Sequence, residues 1–147
     1  MFTRIVVGTD GSQTAAEAVG RAVELAKLTG AQLSIVSAYE PIPKRQVEVE
    51  QEAAPRDVQY EINPREDVNL VLEAAAAKAR KEGLEVQTHP VEGNPADGIL
   101  EVAEKTGADL IVVGNKGMTG ARRFLLGSVP NNVSHHAPCS VMIVRTT

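Results

Sequence analysis

An α/β fold, a parallel sheet with helices on both faces, is what this sequence predicts, and three observations predict it. Short runs rich in Val and Ile alternate with longer segments whose apolar residues recur at helical spacing, as strand–helix–strand crossovers require. The run Leu110-Ile111-Val112-Val113 is continuously apolar, the pattern of a strand buried on both sides. At 147 residues the chain makes one domain, residues 1–147, long enough to cover a sheet twice.

Each element has its own local cause. Arg4 to Thr9 reads as the first strand, carried by Ile5, Val6 and Val7. Ser12 is placed to cap a helix that runs to Thr29, and Gly30 is placed to end it. Ala15, Val19, Ala22, Val23 and Ala26 form the apolar stripe of that helix. Gln32 to Tyr39 is the second strand. From Glu40 to Asn63 the rhythm breaks: Pro41, Pro43 and Pro55 sit among charges, with little apolar periodicity. The segment 40–63 reads as a long mobile connection, either a functional lid or a tolerated surface insertion.

Asn63-Pro64-Arg65-Glu66 then resembles a capping box and starts a second helix, with Val68, Val71, Leu72, Ala75 and Ala79 inward and Gly83 at its end. Leu84 to Val91 alternates as strand three. Asn94-Pro95 opens a third helix that buries Ile99, Leu100 and Ala103 before Gly107 stops it. Asp109 to Val113 is strand four. A last helix runs from Ser128 to about His136, and Ser140 to Arg145 is strand five. The pairs Glu17/Arg21 and Glu101/Lys105 have the i,i+4 spacing of exposed helix ion pairs.

Composition removes several function classes. Net charge is −4 with acids and bases interspersed, so no nucleic-acid footprint is expected. The absence of Trp and the scarcity of other aromatics argue against base-stacking platforms. No apolar run approaches the length of a membrane span, and nothing has the form of a signal peptide. Cys139 is the one cysteine, which suits a reducing compartment; a cytoplasmic protein is expected. His135, His136 and Cys139 make no metal set, because Pro138 breaks the helix between them and no other ligands lie nearby. His89 precedes Pro90 near a strand end and has no evident partner.

Chemistry concentrates after strand four. Gly114-Asn115-Lys116-Gly117 is followed by Gly127-Ser128 at a helix start, a spacing of Gly-x2-Gly-x9-Gly-Ser. Glycines let backbone amides approach an anion closely, and the first N–H groups of a helix point at the same place. Amides near Gly117, Gly127, Ser128 and Val129 are therefore candidate phosphate donors. Asn115 is a candidate for a ribose or phosphate contact, or an ordinary turn residue. Arg122 and Arg123 fall within the nine-residue span and are possible phosphate contacts, although surface Arg pairs are usually solvated. No Gly-Lys-Ser/Thr triplet is present, so this is not a Walker A loop, and Gly8-Thr9-Asp10-Gly11 lacks dinucleotide-fingerprint spacing.

That spacing resembles the ATP-binding signature of the universal stress protein family. Ile5-Val6-Val7-Gly8-Thr9-Asp10-Gly11-Ser12 is similar to the family's opening strand, and Gly93-Asn94-Pro95 and Ser140-Val141-Met142-Ile143-Val144 follow in the family's order. The resemblance implies a three-layer Rossmann-like (HUP-type) fold with a five-stranded parallel sheet of order 3-2-1-4-5. Strands one and four are then neighbours, and their ends at Asp10 and Gly114 flank one crevice, where open α/β sheets bind ligands. It further implies that Asp10 and Thr9 lie near the adenosine part of a ligand and that the backbone at Ala38 reads the adenine edge.

The implied function is binding an adenine nucleotide to sense or signal metabolic state, with ATP and its Mg²⁺, or cyclic AMP, as ligand. No catalytic residue is assigned, since no side chain is an evident water-activating base. A slow ATPase or phosphotransferase and a non-nucleotide interaction module are the competing classes. The family also implies a homodimer made by antiparallel pairing of the last strand, through Val141, Met142, Ile143 and Val144.

Overall fold

The computed structural model describes residues 1–40, 64–115 and 128–146. Within them the elements run β1 (Arg4–Gly8), α1 (Gln13–Thr29), β2 (Gln32–Tyr39), α2 (Pro64–Lys81), β3 (Val86–Glu92), α3 (Pro95–Thr106), β4 (Leu110–Gly114), α4 (Ser128–His136) and β5 (Ser140–Val144). All but the first residue of the connection expected at 40–63, the capping role of Asn63 and most of the glycine loop lie outside the described residues.

All strand pairs are parallel, and the sheet order is β3-β2-β1-β4-β5. This is the order the resemblance implied, a doubly covered Rossmann-like α/β sheet. The period of two along each strand sorts side chains between two cores. Ile5, Val7, Leu33, Ile35, Leu110 and Val112 pack with α1 and α2, through Ala18, Ala22 and Leu72 among others. Val6, Val36, Ile111 and Val113 face the other way, onto Ala96, Ile99 and Val102 of α3 and Val129 and Val133 of α4. Pro90 is accommodated because β3 is an edge strand, where a missing N–H costs no ladder bond on the open side.

Helix ends follow their capping residues. Ser12 Oγ accepts from the Ala15 amide at 3.2 Å, and Gly30 ends α1 with φ 74°. Asn94 Oδ1 accepts from Ala96 and Asp97 at 2.9 and 3.3 Å, with Pro95 in the first helical turn. Several expectations need adjusting. β3 starts at Val86 rather than Leu84, because the Leu84 amide returns to Ala79 O at 3.4 Å and belongs to the helix exit. Arg21 pairs with Glu24 at 3.3 Å, not with Glu17. In α2 the buried face is Val68, Leu72, Ala76 and Ala79, while Val71 and Ala75 lie at its margin.

Helix α3 crosses the sheet obliquely, and two glycines record it. A Cβ at Gly98 would run into the Val91 side chain of β3, whereas one at Gly107 would lie 3.4 Å from Arg4 Nη1 of β1. The helix therefore enters close against β3 and leaves over β1. Gly98→Ala should destabilise the fold by roughly 1–3 kcal/mol, since a branched Val on a paired strand yields little. A chemical denaturation midpoint equal to that of the parent chain would contradict this close approach.

The amino end of β4 is tied to that of β1 by Asp109. Its carboxylate accepts from the Thr3 amide at 2.9 Å, the Arg4 amide at 3.1 Å and the Thr3 hydroxyl at 3.1 Å. Partial burial opposes ionisation, but these donors outweigh it and hold the carboxyl below its ordinary pKa. A depressed folded-state pKa means stability present above the unfolded value and lost as pH falls through the folded one. Asp109→Asn should therefore flatten the acid limb of the stability curve below about pH 4. Urea titrations of both proteins between about pH 2 and 7 give the comparison; parallel curves would exclude the role.

Candidate functional site

Helix α1, which follows β1, and helix α4, which follows β4, pack on opposite faces of the sheet, so the carboxyl ends of these neighbouring strands flank the kind of crevice in which open α/β sheets bind ligands. Around that crevice the local backbone is braced by its own polar residues. Thr9 is buried, its amide donating to Val36 O at 2.9 Å and its Oγ1 accepting from the Gly11 amide at 3.1 Å. Asp10 is exposed, and its Oδ1 accepts from the Ser12 amide at 2.9 Å. The chain then makes a left-handed bend at Gly11, φ 83°, where a Cβ would lie only 2.8 Å from Val71 Cγ2. Two short hydrogen bonds and one glycine thus fix the direction in which the Asp10 carboxylate leaves the sheet.

The other wall is built from β4. Gly114 is half-buried opposite Val144, and the next amide, Asn115 N, donates to Val144 O at 2.9 Å. Asn115 Oδ1 accepts from the Thr146 amide at 2.8 Å and the Thr146 hydroxyl at 3.0 Å. This carboxamide oxygen is committed to holding the segment after β5 against β4. Thr146 lies 31 positions away, so no local signal in the sequence announces the contact. Ala38 is half-buried near the end of β2, on the strand adjoining β1. Ser128 is exposed at the start of α4, while Val129 is buried in the core and can offer a ligand only its main chain.

The structure thus brings Thr9, Asp10, Ala38, Gly114 and Asn115 to the carboxyl ends of β1, β2 and β4, which adjoin in the sheet. Gly117, Gly127, Arg122 and Arg123 lie outside the described residues. A hollow of about 480 Å³ opens on the α1–α2 side of the β1 turn, reaching Thr9, Gly11 and Ser12. The rest of its wall includes Val23, Leu70 and Ala74, which suit an apolar surface rather than a phosphate. Among the described residues, no three His, Cys, Asp or Glu side chains gather as a metal site. No helix among them is long and apolar enough to cross a membrane.

Comparison with known proteins agrees with this architecture along the whole chain. The sequence profile of the universal stress protein family matches residues 1–145. The universal stress protein Rv1636 of Mycobacterium tuberculosis strain H37Rv is 37% identical over 147 residues, covering 99% of this chain and 98% of its own. A crystal structure of a universal stress protein in complex with cAMP superposes with a TM-score of 0.73 at 34% identity, covering 99% of this chain and 98% of that one. The universal stress protein from Archaeoglobus fulgidus in complex with dAMP gives a TM-score of 0.67 at 27% identity, with 96% of each chain covered. The chain belongs to the universal stress protein family.

Proposed function

We propose that this member of the universal stress protein family binds an adenine nucleotide across the carboxyl ends of β1, β2 and β4. The observation that carries the reading is that relatives matching almost the full chain are complexes with cAMP and with dAMP. The local geometry suits it. The exposed Asp10 carboxylate is fixed in direction by the Ser12 amide and stands ready to accept from a hydroxyl or amine. Half-buried Ala38 lies on the adjoining strand, and the sequence span Gly114-x2-Gly117-x9-Gly127-Ser128 would supply amide donors for the phosphates. Three or four charge-assisted bonds of about 1.5–3 kcal/mol each are enough for micromolar affinity.

With ATP as ligand, Mg²⁺ would be held chiefly by phosphate oxygens and water. Binding rather than turnover is proposed, because the Asp10 carboxylate is already engaged through Oδ1 by the Ser12 amide. Occupancy would then report adenine-nucleotide status in the cytoplasm. The direct test is mass spectrometry of small molecules released from natively purified protein, with calorimetric titration of ATP, AMP and cAMP. An adenine compound in the released fraction and saturable heat are expected. An empty fraction with no heat up to about millimolar ligand, a free energy of only about 4 kcal/mol, would overturn the reading.

The dimer belongs to the same proposal. β5 is an edge strand, and Ile143 on it remains 36% exposed, an apolar side chain beside unpaired amides. Antiparallel pairing of Val141–Val144 with a second copy would cover both. Ile143→Lys should shift sedimentation from dimer to monomer; an unaltered profile would remove the strand from the interface.

A further inference from the structure

We propose that the groove at the amino ends of β1, β2 and β3, on the opposite rim from the nucleotide crevice, is a second ligand site, for a small hydrophilic phosphate ester. The groove has a volume of about 790 Å³, in the range of sites that hold metabolite-sized molecules. Its origin is visible in the fold. Because α3 crosses from β3 to β1, it covers Val91 and Val36 but diverges from the start of β3. The sheet positions left beneath the gap are polar: Ser34 and Gln87 pair across β2 and β3, and His89 follows Gln87 on the same face. The apolar alternation that fills the rest of this layer stops where the groove begins.

The charge is unbalanced. Arg4, Arg80 and Lys105 line the groove against one carboxylate, Glu85, in a chain whose net charge is −4. Glu85 Oε2 already accepts from Gln32 Nε2 at 3.0 Å. Arg80 is partly committed, donating to Val86 O at 3.3 Å and lying 3.9 Å from Glu73. Lys105 is not: it forms no pair with Glu101 as its spacing predicted, and has no hydrogen-bond or ion-pair partner among the described residues. His89 Nε2 lies 3.3 Å from Ser34 Oγ. Burial, and secondarily the Lys105 charge, depress the pKa of the His89 ring below its ordinary 6.5. Cations from β1, α2 and α3 thus line one groove at the sheet's amino rim, beside Leu33, Leu84 and Val86 as well as the polar positions, with one carboxylate among them. A phosphate dianion supplies the balancing negative charge, and Gln32, Gln87 and Ser34 supply partners for hydroxyl groups.

Arg4, Arg80, Lys105 and Glu85 line the same groove as His89, and Lys105 is the charge that acts on the ring, so an arriving dianion opposes that effect. The His89 ring should then take up a proton more readily. In the empty protein its depressed pKa makes stability fall as pH drops below 6.5, since the unfolded chain binds the proton better. An anion in the groove should reduce that loss.

The test follows the imidazole resonances of the intact protein by NMR, with glucose 6-phosphate as probe and glucose as the uncharged control. The expected result is saturable binding of the phosphate alone, with the His89 pKa raised by about one unit. Lys105→Gln should weaken binding at least about tenfold and Lys105→Arg should preserve it, with unchanged thermal melts showing that each variant folds. Saturating cAMP should leave the probe in place, which separates this site from the nucleotide crevice and lets either proposal fail alone. A His89 titration indifferent to the probe, equal affinity in Lys105→Gln, or displacement by cAMP would each overturn the assignment.

Discussion

Ile99→Ala should destabilise the domain by roughly 2–5 kcal/mol, the largest stability loss expected from truncating one side chain of the α3–α4 layer. Ile99 is fully buried and belongs to the cluster of Val6, Val36 and Ile111 from the three central strands. Its removal loses the transfer free energy of three methyl or methylene groups. It also leaves a cavity that β-branched neighbours on paired strands cannot collapse to fill. For a chain of this size that corresponds to a fall in melting temperature of roughly 5–15 °C. A calorimetric scan decides it. A shift under about 2 °C would mean that the helix relaxes onto the sheet, and that the layer is less tightly keyed than its geometry implies.

Gly117→Val should abolish measurable adenine-nucleotide binding while leaving the melting temperature within a few degrees of the parent. The position lies outside the described residues, so the expectation rests on the spacing from Gly114 to Gly127-Ser128. A branched Cβ keeps a phosphate away from the loop amides and excludes the positive φ that such loops use. Losing two charge-assisted bonds amounts to roughly 3–6 kcal/mol, more than about 100-fold in affinity. Calorimetry on the variant and parent reads it directly. Equal affinities would move the phosphate site elsewhere, even if the nucleotide itself were confirmed.

Some of this protein could be read from local patterns because their causes are local. Ser12, Asn94, Gly30 and Gly107 cap their helices by bonds spanning at most a few residues, so their spacing carried the information. The Val and Ile runs of β1 and β4 marked buried strands for the same reason. The start of β3 was misplaced because Leu84 is apolar in either setting, and only its hydrogen bond to Ala79 separates helix exit from strand. Glu101 and Lys105 have the spacing of a pair, but i,i+4 geometry permits an ion pair without compelling one in water.

Parts of the site behaved likewise. The adjacency of the carboxyl ends of β1 and β4 followed from the strand order. The engagement of Asn115 by Thr146 was not legible, because it joins residues far apart in sequence. The amino-end groove was invisible for a related reason. His89 meets Ser34 across paired strands, and Lys105 lies in a groove with residues of β1, β2 and β3, contacts that no local spacing announces.

By itself the sequence determined the alternation of elements, their caps, the family and the glycine spacing, all consequences of period, propensity and short-range hydrogen bonding. Only the tertiary structure decided which polar residues share a rim, how Gly98 sets the path of α3 against Val91, and that three cations and one carboxylate line a single groove. Those features depend on packing between segments many residues apart, and close packing of whole surfaces is a property that no single stretch of chain encodes.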